Sequence, residues 1–588
     1  MKKFLSIILA GLLCVPTFLF VGCTESEKRD DSKTQLDISY FAGGFGETWI
    51  NQAKTEFEEK YKDFSFEEGK LGVQIWIDPN KSATDTLSAN IQAGTNLRDL
   101  YLTAGGTALR GLIKKDLIED ITDVYKAKPD GENGKTIEEK LLQQKNFLSV
   151  YGNGVDKYYA LPYTQAIIGF VFDYDLFVQR EWLNFAKASD TTALDEQGFT
   201  YTQSTTNYGT SVLVMENYSG TEKITYEKGD AILTAGKDGK FGTHDDGQPQ
   251  NIDEWNNMVQ LIYATEGTKP FIFARSQPDY MNPLAEAIFA QYDGIENFEI
   301  TYDYDGTYTK PSTGEETPIT LETGYKTFEF EGREIALKFL EDNLGVEDYM
   351  HPSSDKLSRS AIDIQSDYVL GYRATALNPL SAILVEGIWW ENEARGLFNS
   401  LAEAGEKDRA YGARDYRYML YPAFENQKGI DGNGNGTVFS SFEDGNMFIR
   451  KGAKDGAKVA AKRFIEFITT DDWLAKFTIM TGGMRPFDYT LTAEQYDGLT
   501  SFQQHTWNIY HDSENYKVVM PTLMQYAQPI NYASSATVHR WGTKIGNFSY
   551  NAVITGLLAN ASTAAKYYAG MTEVYSAQMW SNLVSSIM

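Results

Sequence analysis

The chain has 588 residues, 42 % of them hydrophobic and 14 % aromatic, enough for a large core and at least two lobes. Its net charge of −28 argues against a nucleic-acid partner, because neutralising phosphates takes clustered lysine and arginine. The same charge argues against electrostatic docking onto anionic lipid, and it reads first as a solubility feature.

"MKKFLSIILAGLLCVPTFLFVGC" opens with Lys2 and Lys3, runs apolar to Phe20 and ends in Gly22 before Cys23. That is the make-up of a secretory signal. A membrane span fits less well, since the apolar run is short and Pro16 interrupts it. "FVGC" resembles the lipobox of bacterial lipoproteins, which implies a signal peptide over 1–22 and lipid on Cys23. The other cysteine, Cys14, follows bulky Leu13 and fits poorly. Both cysteines lie at or before the cleavage point, so the mature chain has no disulfide, thiol nucleophile or cysteine metal site. The expected location is extracytoplasmic, lipid-anchored to the cell membrane. Residues 23–35 read as a flexible tether.

After the tether the elements alternate. "LDISYFA" reads as a strand, and "ETWINQAKTEFEEKYKD" sets Trp49, Ala53, Phe57 and Tyr61 on one helical face. "LGVQIWID" is a strand, "TDTLSANIQAGT" a helix, "RDLYLTA" a strand and "TALRGLIKKDLIEDITDVY" a helix. A β-α series of this kind predicts an α/β fold with a parallel sheet, with ligands beyond the carboxyl ends of its strands. "AGGFG" (42–46) sits at such an end, where backbone can approach a ligand closely. Around 190–250 and 295–330 the chain reads as hairpins and loops. "SFEDGNMFIRKGAKDGAKVAAKRFIEFITTDDWLAKFTIMTGG" returns to strand then helix, and "TVHRWGTKIGNFSYNAVITGLLAN" reads as largely helical.

His244, His351, His505, His511 and His539 form no HExxH pair, which argues against a zinc or histidine-dependent catalytic site. No GxSxG, P-loop or dinucleotide fingerprint is present. Paired carboxylates of a glycosidase need no motif and stay open as an alternative. Two loops are candidates for structural calcium; no cofactor is required otherwise. "GKDGKFGTHDDG" (236–247) gathers Asp238, Asp245 and Asp246. "DGNGNGTVFSSFE" (431–443) sets Asp431, Asn433 and Asn435 at EF-hand spacing before Gly436, but position twelve is Phe442 instead of glutamate. The competing reading is a pair of Asn-Gly turns.

"AILVEGIWWENEA" (382–394) places Trp389 and Trp390 among Glu386, Glu391 and Glu393. Successive helical residues point about 100° apart, so one indole can be core while the other faces a cleft. An indole face with polar acceptors beside it suits a sugar ring, and ordinary core packing is the equal alternative.

Taken in order, "ISYFAGGFGETW", "RDLYLTAGGTALRGLIKKDLIEDITD", "YYALPYTQAIIGFVFDYDLF", "AILVEGIWWENEA", "AAKRFIEFITTDDWLAKFTIMTGGMRP" and "MPTLMQYAQPINYASSATVHRW" span nearly the whole mature chain. The set resembles the solute-binding lipoproteins of carbohydrate ABC importers, the group that includes maltose-binding protein, in its large oligosaccharide-binding variety. The resemblance implies two α/β lobes with the ligand between them. One lobe would comprise 36–163 and 437–490, the other 164–436 and 491–588 with loop-rich insertions. Crossings would fall near Pro162–Thr164, near Thr437 and shortly after Pro486. It also implies a monomer that binds carbohydrate without chemistry, closes by hinge bending and is read by permease subunits. Position by position, Gly44, Phe45 and Glu47 would line the first lobe and Tyr163 the hinge. Trp389 or Trp390 would be the second-lobe platform beside Glu386. Arg485 would donate to hydroxyls, Arg540 and Trp541 would close the far end, and Tyr280 would add a contact. The runners-up are a secreted lipoprotein glycosidase and a calcium-stiffened surface adhesin.

Overall fold

The computed structural model describes residues 28–79, 84–104, 109–142, 157–187, 201–205, 211–215, 223–228, 231–240, 242–376, 378–442, 445–531, 538–559 and 562–587. The expected signal peptide and Cys23 lie outside the described residues. Among those described, no helix is long and apolar enough to cross a membrane.

The first sheet has five strands in the order Val73–Pro79, Thr34–Tyr40, Leu100–Thr103, Gly445–Ile449, Leu161–Thr164. The first three are parallel, and Gly445–Ile449 runs antiparallel to both its neighbours. Leu36, Ile38 and Tyr40 are fully buried, as expected where helices cover a parallel sheet. Helix Thr48–Lys60 buries Trp49, Ala53 and Phe57, the face marked by their four-residue spacing. Edge-on contacts of Trp49 with Phe477 (5.0 Å) and Phe57 with Phe464 (5.3 Å) tie it to helices Asp471–Thr481 and Asp455–Ile468.

The second sheet has four strands in the order Thr268–Ile272, Leu380–Gly387, Ile168–Asp173, Tyr416–Met419. Thr268–Ile272 is parallel to Leu380–Gly387, and the other two pairings are antiparallel. Every residue of Leu380–Gly387 is buried. The loop-rich middle contains an antiparallel sheet over 185–233 and the hairpin Gly306–Thr309/Glu316–Ile319, with helix Ile295–Asp303 before it.

The chain passes from one sheet to the other between Thr164 and Ile168. It returns between Ser440 and Gly445, since Thr437–Ser440 pairs with Tyr516–Val519 and not with the first sheet. A third segment, 484–487, lies alongside. The amide of Gln165 donates to the Met484 carbonyl (3.0 Å), that of Phe442 to the Ala166 carbonyl (2.7 Å), and that of Gly445 to Thr164 Oγ1 (3.0 Å). Three segments hydrogen-bonded side by side make up the crossing between the two sheets, at the place where the resemblance implies a hinge.

Two expected elements differ. The helix predicted through Tyr125 splits into Leu109–Lys114 and Thr122–Tyr125. Asp116 turns left-handed (φ 57°), and Ile118 then bridges to Arg450, so sheet pairing overrides the apolar period. The late stretch read as helical is a hairpin, Thr543–Ile545 with Phe548–Tyr550 around Gly546 (φ 62°), and only Val553–Leu557 is helical there. Gly546-Asn547 is turn chemistry that outweighs the amphipathic pattern.

Candidate functional site

Four strand ends meet where the sheets face each other. The turn Gly43–Phe45 follows Tyr40, and Ala104 follows Thr103. From the other side come Gln277 and Tyr280, beyond Ile272, and Trp389, beyond Gly387. All four strands present their carboxyl ends, and between them lies a cavity of about 300 Å³. Tyr163, Thr164, Ala166, Phe442 and Gly445 of the hinge complete its wall.

Aromatic rings dominate the lining. Trp389 has Phe45 edge-on at 6.5 Å, Tyr280 at 5.9 Å and Phe442 at 6.4 Å, and Tyr280 meets Phe442 at 5.1 Å. Two glycines make this possible. A Cβ on Gly387 would lie 2.4 Å from the indole, and one on Gly44, in the facing loop, 2.5 Å from it. The indole is therefore held between two bare backbones, one from each side of the cavity. Asn392 Nδ2 donates to the Gly44 carbonyl (2.8 Å), joining the same loops.

Gly44, Phe45, Tyr163, Tyr280 and Trp389 all line the cavity. Trp390 is fully buried, edge-on to Tyr416 at 4.9 Å and also packed on Phe502, Tyr368 and Phe398. It is core; Trp389, at 7 % exposure, is buried as well, and its place in the cavity lining distinguishes it, the two indoles being separated by the rotation between successive residues. Glu386 is also fully buried, accepting from the Gly387 amide (3.1 Å), and burial pushes its carboxyl up to about 8. Glu391 is pushed up to about 7 by burial, with Thr500 Oγ1 donating to it at 2.6 Å. Glu47 is exposed at the start of helix Thr48–Lys60, outside the lining.

Arg485 is buried in the hinge, where its Nε donates to the Tyr163 carbonyl (2.8 Å) and Nη1 to the Ile468 carbonyl. Burial lowers its pKa to about 10. It holds the crossing strand and does not reach the cavity. Arg540 bonds the Thr301 carbonyl and Tyr304 hydroxyl within the second lobe, and Trp541 is buried beside Phe289 and Arg333. Neither lines the cavity.

Sequence reasoning missed Gln277, Glu393 and Phe442 as lining residues. Phe442 was visible only as a wrong residue at the twelfth position of an EF-hand pattern. Its partners come from sequence-distant elements, so no local signal marks it.

The acidic loops satisfy their own carboxylates. Asp431 accepts from the amides of Asn433 (2.8 Å) and Asn435 (3.2 Å) and from Asn435 Nδ2 (2.7 Å), which pull its pKa down to about 2. Asp245 accepts from the amides of Lys237 (2.6 Å) and Asp238 (3.0 Å), and Asp246 from that of Gly242 (2.7 Å). Among the described residues, no three His, Cys, Asp or Glu side chains converge to hold a metal ion.

Among the described residues, Glu393 is the one acid in the cavity lining; Glu443 and Asp444, between the lining residues Phe442 and Gly445 in sequence, lie outside the described residues. A larger groove of about 800 Å³ lies on the second lobe beside Asp293, Glu296, Glu299, Asp303, Asp305 and Asp431. No aromatic ring lines it and one lobe alone builds it, so the cavity between the sheets is the stronger candidate.

No family model matches the chain, and no curated protein matches it. Solved structures do. A chitin oligosaccharide binding protein is 15 % identical over 92 % of this chain and 98 % of its own, with a TM-score of 0.51. The GacH receptor of Streptomyces glaucescens, solved unliganded and with acarbose, is 9 % identical over 95 % and 100 %, at 0.51. UgpB from Mycobacterium tuberculosis, in complex with glycerophosphocholine, is 12 % identical over 95 % and 100 %, at 0.50. At these identities the likeness concerns the fold: the chain has the two-lobe α/β fold of solute-binding proteins, with its aromatic cavity where the lobes meet.

Proposed function

We propose that this chain is the substrate-binding component of an ABC importer, capturing a carbohydrate between its lobes and presenting it to permease subunits. The observation that carries the reading is the cavity itself: strand ends of two separate sheets enclose aromatic faces, with Trp389 between glycines of opposing loops. Flat apolar ring faces with a few polar groups suit the faces and hydroxyls of a sugar. Two of the fold neighbours above, bound to acarbose and named for chitin oligosaccharides, support a sugar; the third holds glycerophosphocholine.

The finer features belong to the same proposal. Cys23 carries lipid and holds a monomer at the outer face of the cell membrane; the tether is shorter than the expected 23–35, because Thr34 and Gln35 belong to the strand Thr34–Tyr40 and Lys28 and Asp30 are already bonded to Gln74. The lobes exchange chain at 164–168, at 440–445 and after Pro486, and closure at these crossings is the signal the permease reads. Binding without chemistry is part of the same proposal, supported by fold neighbours that are binding proteins.

A thermal-shift screen of the purified chain against oligosaccharides tests the reading. A ligand that binds only the native state adds about 2.7 kcal/mol at a hundredfold excess over its dissociation constant. A saturable rise with one sugar class is expected. A flat response to every sugar, with a rise for a non-sugar solute, contradicts it.

A further inference from the structure

Among its described residues the cavity wall carries one charged group. Glu393 is the only residue with a formal charge among its described lining, and no lysine, arginine or histidine is present there. Of the undescribed residues next to the lining in sequence, 105–108 carry no charge and 443–444 are Glu443 and Asp444, so none is basic and two are acidic. From these residues we propose that the cleft takes uncharged saccharides and rejects anionic ones, with Glu393 as the specificity-determining residue. This rests on the carbohydrate reading above and narrows its substrate class.

Glu393 ends the short helix Trp390–Glu393, so the turn that aims Trp389 also aims its carboxylate. Its Oε2 accepts from Gln365 Nε2 at 2.7 Å, and Gln365 is buried on helix Ala361–Leu370 behind it. That bond fixes the side chain against the wall while the carboxylate lines the cavity. Burial pushes its pKa up, opposed only by the Gln365 amide; no cation contributes. The neighbouring arginines are engaged elsewhere. Arg395 donates to the Tyr411 hydroxyl (2.9 Å) and the Met480 carbonyl (3.3 Å), with its guanidinium over the Tyr411 ring. Arg485 is held by the Tyr163 and Ile468 carbonyls, between the rings of Phe477 and Phe487.

A sugar carboxylate or phosphate entering this space would lose its water, gain no cationic partner and face a like charge. A neutral sugar meets none of these costs. Its hydroxyls can donate to Glu393 and Gln277 while its ring faces lie on Trp389, Tyr280 and Phe442. Rejection by an unpaired charge is specificity built against the wrong ligand, independent of fit to the right one.

Calorimetric titration of the purified chain with matched pairs tests this: galactobiose beside digalacturonate, mannobiose beside dimannuronate, chitobiose beside its hyaluronate disaccharide analogue, and glycerophosphocholine as a phosphate-bearing non-sugar. The expected result is binding of a neutral sugar with its uronide weaker by about a hundredfold or more. In Glu393→Gln the neutral sugar binds less tightly and the uronide more tightly, so their ratio falls by about tenfold or more. A uronide that binds as tightly as its neutral partner overturns the charge selection and leaves carbohydrate capture standing. A preference for glycerophosphocholine, a net-neutral zwitterion whose choline suits aromatic faces beside a carboxylate, overturns carbohydrate capture and with it the proposal that rests on it. A ratio unchanged in Glu393→Gln overturns the role of that residue, and silence from every probe overturns both readings.

Discussion

The adjacent indoles Trp389 and Trp390 are predicted to fail in opposite ways. Trp390 is fully buried among Tyr416, Phe502, Tyr368 and Phe398, with ring centroids 4.9–6.0 Å away. Truncating such a core tryptophan to alanine costs about 3–5 kcal/mol. For a cooperative unit of lobe size, at roughly 2–4 °C per kcal/mol, Trp390→Ala is expected to lower the melting midpoint by about 10 °C. Trp389 packs instead against a loop of the facing lobe, and its edge-on ring pairs are worth about 0.5–1.5 kcal/mol each. On the proposed opening of the lobes part of that is given up, so Trp389→Ala is expected to have the smaller effect on the midpoint. Its larger effect is on ligand, where losing one buried aromatic face costs about 1.5–3 kcal/mol, or about 10–150-fold in affinity. Scanning fluorimetry and titration calorimetry on both variants read the two effects separately. Trp390→Ala abolishing binding without loss of stability, with Trp389→Ala binding normally, would refute the assignment of platform and core.

Three further outcomes follow from the same geometry. Gly44→Ala puts a Cβ 2.5 Å from the indole, so the ligand-bound form should stay expanded in X-ray scattering and affinity should fall by about tenfold; normal compaction would contradict the loop contact. The Glu386 carboxyl is raised to about 8 from 4.5, so between those values the native state keeps a proton that the unfolded chain has released. Its contribution is therefore lost as pH rises through that window, and the midpoint of the native chain should fall relative to Glu386→Gln from pH 5 to 8; parallel profiles would count against it. Calcium at millimolar concentration should leave the midpoint within about 2 °C of that in chelator, because Asp245, Asp246 and Asp431 already accept loop amides. A larger saturable rise would show an ion held there.

Much of the first lobe was legible because its signals are local. Trp49, Ala53 and Phe57 share a helical face whatever lies beneath it, and the β-α alternation around them implies a parallel sheet with its ligand end at 42–46. Trp389 and Tyr163 were reachable through ordered resemblance, but the choice between the two indoles needed the turn after Gly387. Glu386 and Arg485 look functional in sequence because they are charged beside aromatics; in the structure both are buried outside the cavity lining, Glu386 accepting from the Gly387 amide and Arg485 donating to the Tyr163 carbonyl. Phe442, Gln277 and Glu393 stayed hidden, since the wall they share is assembled from segments far apart in the chain, between Phe41 and Gly445. The hairpin at 543–550 was hidden by an apolar pattern that fits a helix as well as a strand pair.

Native mass spectrometry of the purified chain with the neutral oligosaccharide that gives the strongest stabilisation tests the central claim most directly. The account predicts a 1:1 complex whose released sugar has the mass of the intact oligosaccharide, and a dissociation constant raised by about tenfold or more in Trp389→Ala. A sugar released in fragments, or a dissociation constant unchanged without the Trp389 indole, would contradict it.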